Sequence, residues 1–276
     1  MPWLPELFSA PVLERVLERR REDGAELVPY FQGLMAGELG ALLGSFAGEP
    51  EIHYPVRGRV RGVRAFEDYV GRTIEWITGA NGEVENVELL MTPPRSVEEV
   101  IVRLDSEDGS RVEVPCAIAV DRADDGRLRE MRVYYSNWPM TGGHAIRPPM
   151  LQPDPDAREG DIVATYQAAL AAGDVEGVVA AFEPDASVRE PAGSGHVHAG
   201  TDELRALFTH FFSNGGGIPL EHCTVTDDGR ACAIEYNVVS WGQTKLPPQA
   251  GVAVYVRGES GKLAAARIYD DVDPPL

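Results

Sequence analysis

Glu190 stands directly before Pro191, at the end of the extended run Ser187-Val188-Arg189-Glu190 and ahead of the glycine-rich turn Gly193-Ser194-Gly195. A carboxylate at a strand end, stiffened by a proline, can be held rigidly and away from bulk water, as a general base requires. If it lines an apolar cavity, desolvation raises its pKa toward neutrality. Other reactive spacings point less far. His196-Val197-His198 puts two imidazoles on one face of a strand, but no third ligand has a recognisable spacing, so no metal is expected. Arg57, Arg59 and Arg61 read as a solvated arginine edge. Gly193-Ser194-Gly195 and Gly215-Gly216-Gly217 lack the strand–loop–helix context of a phosphate or dinucleotide site, so no nucleotide cofactor is expected. Cys116, Cys223 and Cys232 are odd in number and read as reduced core thiols.

The elements that must hold Glu190 begin at Asp161. Ile162, Val163, Tyr166 and Leu170 have helical spacing, and Gly173 ends that helix. Val175, Val178, Val179 and Phe182 mark a second helix. The same run occurs earlier in the chain. Tyr30 matches Tyr166, Phe46 matches Phe182, Tyr54-Pro55 matches Glu190-Pro191, and Arg132-Val133-Tyr134 matches Arg267-Ile268-Tyr269. The nearly constant register means one fold present twice.

The domain boundaries follow: an N-terminal helical extension over 1–23, a first domain over 24–138, a Pro-rich linker over 139–158, and a second domain over 159–276. Each copy reads helix, helix, short strand, helix, then four antiparallel strands, expected at 83–91, 97–106, 111–121 and 127–136, and again at 219–226, 230–241, 249–257 and 263–271. This is an α+β arrangement in which a curved antiparallel sheet wraps around helices and leaves a cone for a small molecule. The linker's prolines suggest a stiff spacer. The 1–23 extension packs on the first domain or builds an oligomer contact.

Acidic residues outnumber basic ones 44 to 25, and the net charge of −19 argues against nucleic acid and anionic membrane surfaces. With no signal-peptide pattern and no long apolar run, the expected location is cytoplasmic. Few lysines with abundant Ala, Gly and Val suggest a bacterial source.

The run Tyr166…Ala172-Gly173-Asp174…Phe182…Asp185-Ala186-Ser187-Val188-Arg189-Glu190-Pro191 resembles the ketosteroid isomerase and SnoaL-like branch of the NTF2-like superfamily, and the resemblance covers both copies. It implies two NTF2-like cone domains, with a helix tyrosine and a strand-end acid at the site. The fused pair, with Arg127 to Tyr134 as a last strand, also looks like two-domain polyether epoxide hydrolases/cyclases. Their second carboxyl lies on the strand after the third helix, near Glu221 here. The family's last strand points alternate residues inward, which places Ala266, Ile268 and Asp270 on the cavity face. Gly251-Val252-Ala253-Val254 holds no acid where ketosteroid isomerases carry an oxyanion-binding Asp, which counts against steroid isomerisation.

These residues imply an acid/base enzyme without a cofactor, acting on a small apolar or polyketide-like substrate. Glu190, Glu221, Tyr166 and Asp270 are the catalytic candidates. Trp241 and, in the first copy, Tyr30, Tyr54 and Tyr135 are the substrate-binding candidates. Trp241 is expected on the same strand face as Glu235, Asn237 and Val239. The leading chemistry is cyclisation by epoxide opening. Its rivals are an enolate cyclase or isomerase, and a binding or scaffold protein. The fused copies suggest an internal pseudo-dimer, and a homodimer is compatible with the extra helix.

Overall fold

The computed structural model describes residues 43–44, 46–55, 58–106 and 109–276. The expected N-terminal helix, Tyr30 and most of the first copy's helix pair lie outside them. The chain divides into two units, Met1–Tyr134 and Tyr135–Leu276.

The first unit contains β1 (Glu51–Tyr54), β2 (Gly58–Arg61), α1 (Val63–Gly79), β3 (Glu83–Thr92), β4 (Arg95–Asp105), β5 (Arg111–Arg122) and β6 (Leu128–Tyr134). Its sheet order is β2-β1-β6-β5-β4-β3, with β1 parallel to β6 and the other neighbours antiparallel.

The second unit contains α2 (Trp138–Thr141), α3 (Asp161–Ala172), α4 (Val175–Ala180), β7 (Phe182–Arg189), a 3-10 turn (Ser194–His196), β8 (Val197–Ala199), α5 (Thr201–Phe211), β9 (Leu220–Asp227), β10 (Ala231–Trp241), β11 (Thr244–Arg257) and β12 (Leu263–Tyr269). Its sheet order, β8-β7-β12-β11-β10-β9, repeats the first, again with one parallel pair, β7 and β12. The equivalence holds residue by residue. Phe46 bridges Leu128 as Phe182 bridges Leu263, and His53 faces Arg132 as Arg189 faces Arg267. Both units are therefore the same α+β design.

The core of the second unit lies between α3, α5 and one face of the sheet. Val163, Tyr166 and Leu170 recur at helical spacing and pack against Leu204, Leu207 and Phe208 of α5. Cys232, Ile234, Tyr236 and Val238 alternate inward along β10. Glu235 and Asn237 point to the opposite face, where Thr224 donates to Glu235 and Asn237 donates to the Leu151 carbonyl. The expectation that Trp241 shares that face does not hold. A bulge between Val238 and Ser240 resets the alternation, and Trp241 joins the core instead.

The glycine run 215–217 has a packing role. A Cβ on Gly217 would sit 2.1 Å from the Leu170 carbonyl oxygen. Side-chain-free backbone there lets the chain cross the end of α3, where Ile218 N–H donates to Leu170.

The proline-rich stretch lies with the second unit and is bonded to it. Asp154 N–H donates to the His222 carbonyl, and Ala250 N–H to the Arg147 carbonyl. Asp271 collects the start of the stretch, as described below.

Candidate active site

A cavity of about 310 Å³ opens within the second unit. Its wall is mostly apolar: Leu170, Val188, Phe208, Ile218, Val238 and Ile268 supply much of it. The polar groups in it are few, as expected of a small-molecule site.

Asp270 follows the last strand residue, Tyr269, and points inward with Ile268, on the face expected from alternation. The Tyr236 hydroxyl donates to its Oδ2 at 2.8 Å, and Val272 N–H reaches Oδ1 at 3.3 Å. Burial raises the Asp270 pKa from an ordinary 3.8 to about 6, while the bond from Tyr236 opposes that rise. The carboxyl is thus poised near the pH at which it would work.

Gly251 makes this pair possible. Tyr236 is its partner on β10, and a Cβ on Gly251 would lie 2.7 Å from the Tyr236 ring and 2.8 Å from the Asp270 Cβ. A missing side chain on the central strand β11 lets the phenol reach an acid beyond it. Where an oxyanion-binding acid was sought on this strand, the strand contributes space.

Tyr166, on α3, lines the cavity. Burial alone pushes its phenol upward, and no bond to its hydroxyl occurs among the described residues. The hydroxyl stays a donor at neutral pH. Its ring packs tilted on Tyr255 at 5.2 Å, whose own hydroxyl accepts from Gln167 at 2.7 Å.

Glu190 also lines the cavity, at its rim. Its side chain is 22% exposed, and His198 Nε2 lies 2.7 Å from its Oε1. His198 sits on β8 opposite Val188, so the hairpin of β7 and β8 sets the pair. The 3-10 turn closes it: Glu190 N–H donates to the His196 carbonyl.

Glu221 lies elsewhere. Leu220 faces Val238 and lines the cavity, so alternation turns Glu221 outward, where it is exposed. Asp270, rather than Glu221, shares the cavity with Glu190. Trp241 lines the cavity and is anchored by its indole N–H donating to the Phe211 carbonyl at 2.7 Å.

Several lining residues escaped the sequence reading. Trp138 and His144 come from the start of the proline-rich stretch, which carried no periodic signal. Tyr236 did carry one, because it alternates with Ile234 and Val238.

The first copy holds different groups at the same positions. Strand registers place Tyr54 at the Glu190 position and Tyr135 at the Asp270 position. They also place Val100 and Cys116 where the second unit has Tyr236 and Gly251. Tyr54 packs its ring on Tyr69 at 4.7 Å, and Tyr135 is half-buried. Glu51, His53 and Glu130 converge closely enough to hold a cation. Arg59 binds Glu51 at 2.6 Å and Arg132 binds Glu130 at 3.0 Å, so arginines already neutralise these acids.

Residues 163–266, within the second unit, match the model of the SnoaL-like domain family. Solved structures with similar folds include a candidate polyketide cyclase from Sinorhizobium meliloti, 22% identical over 40% of this chain and 94% of its own, with a TM-score of 0.34. Another is SalBIII, an epoxide hydrolase/cyclase-like enzyme with a role in pyran ring formation in the polyether salinomycin, 20% identical over 42% of this chain and 89% of its own, TM-score 0.31. A third is an NTF2-like protein from Anabaena variabilis, 20% identical over 41% and 86%, TM-score 0.34. Among the described residues no helix is long and apolar enough to cross a membrane.

Proposed function

We propose that the cavity of the second unit is an active site for acid–base ring closure of a small apolar molecule, in which an internal hydroxyl opens an epoxide. The observation that carries this reading is that Glu190 and Asp270 line one largely apolar cavity in unlike settings. Asp270 is half-buried with its pKa raised to about 6, whereas Glu190 sits at the rim beside His198. Groups set apart in this way divide into acid and base.

The step balances without a cofactor. Glu190 takes the proton of the attacking hydroxyl as the new C–O bond forms. The epoxide C–O bond breaks, and Asp270, in its protonated form, gives its proton to the departing oxygen. The product is an isomer of the substrate. Tyr166 donates a hydrogen bond to that oxygen or orients the chain.

Tyr166 also supports a second reading. A buried phenol with no partner among the described residues can serve as an oxyanion donor, and Asp270 as base would then form an enolate from a ketone. Two probes separate the readings. An apolar hydroxy-epoxide that closes to a five- or six-membered ether tests the first, with loss of turnover expected in both Glu190→Gln and Asp270→Asn. Exchange of α-hydrogens of an apolar ketone in heavy water tests the second, where Asp270→Asn is silent and Glu190→Gln is not. Binding of both probes with no turnover of either would point to a binding protein and overturn the enzyme reading.

A further inference from the structure

His144 belongs to the cavity but to neither role above. It comes from the stretch 136–145, which Asp271 ties down. Asp271 is the residue after Asp270 and its side chain is 2% exposed. Its carboxylate accepts from Ser136 Oγ at 2.6 Å, from the backbone N–H of Asn137 at 3.2 Å, and from that of Ala145 at 2.9 Å. Ser136 Oγ in turn accepts from Trp138 N–H, so its hydroxyl hydrogen is directed to Asp271. The fourth neighbour is His144 Nδ1, 3.0 Å from Oδ1.

A carboxylate with three such donors is ionised and only accepts. His144 Nδ1 therefore carries the hydrogen, and in the neutral ring Nε2 is left with the lone pair. Trp138 stacks on the imidazole with centroids 4.8 Å apart and planes 25° from parallel, which holds the ring in place. The imidazole is 17% exposed, Asp270 is half-buried, and both line the same cavity. The other ionisable groups on this cavity besides its tyrosines are Glu190, His196 and Asp273.

We propose that His144, oriented by Asp271, is a further proton-transfer group of the cavity and carries protons between solvent and the Asp270 carboxyl. Adjacent acids on opposite sides of the chain then divide the work: Asp270 exchanges a proton with substrate, and Asp271 holds the imidazole that refills it. Nε2 takes a proton from hydronium or a buffer acid, the imidazolium passes it to the Asp270 carboxylate and the neutral ring is restored, while Glu190 returns to solvent the proton it took. The catalytic part of this inference rests on the acid–base reading of the site. Its proton linkage does not.

The test has two arms on the full chain. The first is nitrogen and carbon NMR without ligand, with the His144 signal assigned by its loss in His144→Gln. The expected result is the Nδ1–H tautomer at high pH and a His144 titration that moves in Asp270→Asn. The Nε2–H tautomer, or a titration indifferent to Asp270→Asn, would overturn the proposal whatever the enzyme does. The second arm uses the hydroxy-epoxide probe in weakly buffered medium. His144→Gln should lower kcat by about 10²-fold with KM unchanged, and added imidazole should restore it. A raised KM with no rescue by imidazole would mark His144 as a positioning residue and overturn the relay.

Discussion

The Tyr236 hydroxyl meets Asp270 Oδ2 at 2.8 Å across β11, at the one point where that strand has no side chain to separate them, Gly251. Three strands must be in register for this contact to exist. It places an acid with a raised pKa in an apolar cavity, with a phenol holding that rise in check.

Removing the phenol's hydroxyl should release that check. In Tyr236→Phe the Asp270 pKa is expected to climb above about 6, because the bond it loses favours the ionised form. Carbon NMR of the Asp270 carboxyl across a pH series reads this directly. An unchanged or lowered midpoint would show that the bond contributes nothing to the ionisation.

Filling the gap should break the pair without touching either partner. Gly251→Ala places a methyl 2.7 Å from the tyrosine ring. Overpacking of this kind costs about 1–3 kcal/mol. The variant is expected to fold with a lower midpoint in urea and with an altered Asp270 titration. A variant as stable as the parent, with the same titration, would mean that the neighbouring strands absorb the methyl.

Asp270 should also leave a mark on stability. Its folded pKa, about 6, lies above its ordinary 3.8, so between those values the folded state binds more protons than the unfolded one. Stability from this group is present at low pH and is lost as pH rises toward 6. The gap corresponds to about 3 kcal/mol. Asp270→Asn removes the dependence, so relative to the parent it should gain about that much between about pH 3 and about pH 7. Chemical denaturation at the two pH values measures the double difference, and a value near zero would contradict the raised Asp270 pKa.

The two glutamates should separate cleanly. Glu190→Gln is expected to slow the hydroxy-epoxide probe by about 10²-fold or more. Glu221→Gln, on an exposed outward position, should leave the rate within about twofold, since surface changes away from a site rarely matter. A large loss in Glu221→Gln would return it to the site.

Much of the framework was legible. Helical spacing at Val163, Tyr166 and Leu170, the stop at Gly173, and alternation through Ala266, Ile268 and Asp270 are local patterns, and local patterns survive in a linear reading. The candidate site was legible in part. Glu190, Tyr166, Asp270 and Trp241 all line the cavity, but Trp241 gets there through a bulge that reverses the expected face. Glu221 was drawn toward the site by the resemblance, which expects a second carboxyl on the strand after the third helix, whereas its strand position turns it out.

The sequence by itself determined that one α+β design is written twice, and that Tyr54 stands in the first copy where Glu190 stands in the second. These follow from order and periodicity along one chain. Only the tertiary structure decided that Asp270 and not Glu221 shares the cavity with Glu190, with Tyr236 as its donor and His144 on the same cavity, held by Asp271. Those relations depend on register across β10, β11 and β12, and on a proline-rich stretch returning to the end of the last strand. Cross-strand register is set by packing and bulges between distant segments, and no single segment's periodicity contains it.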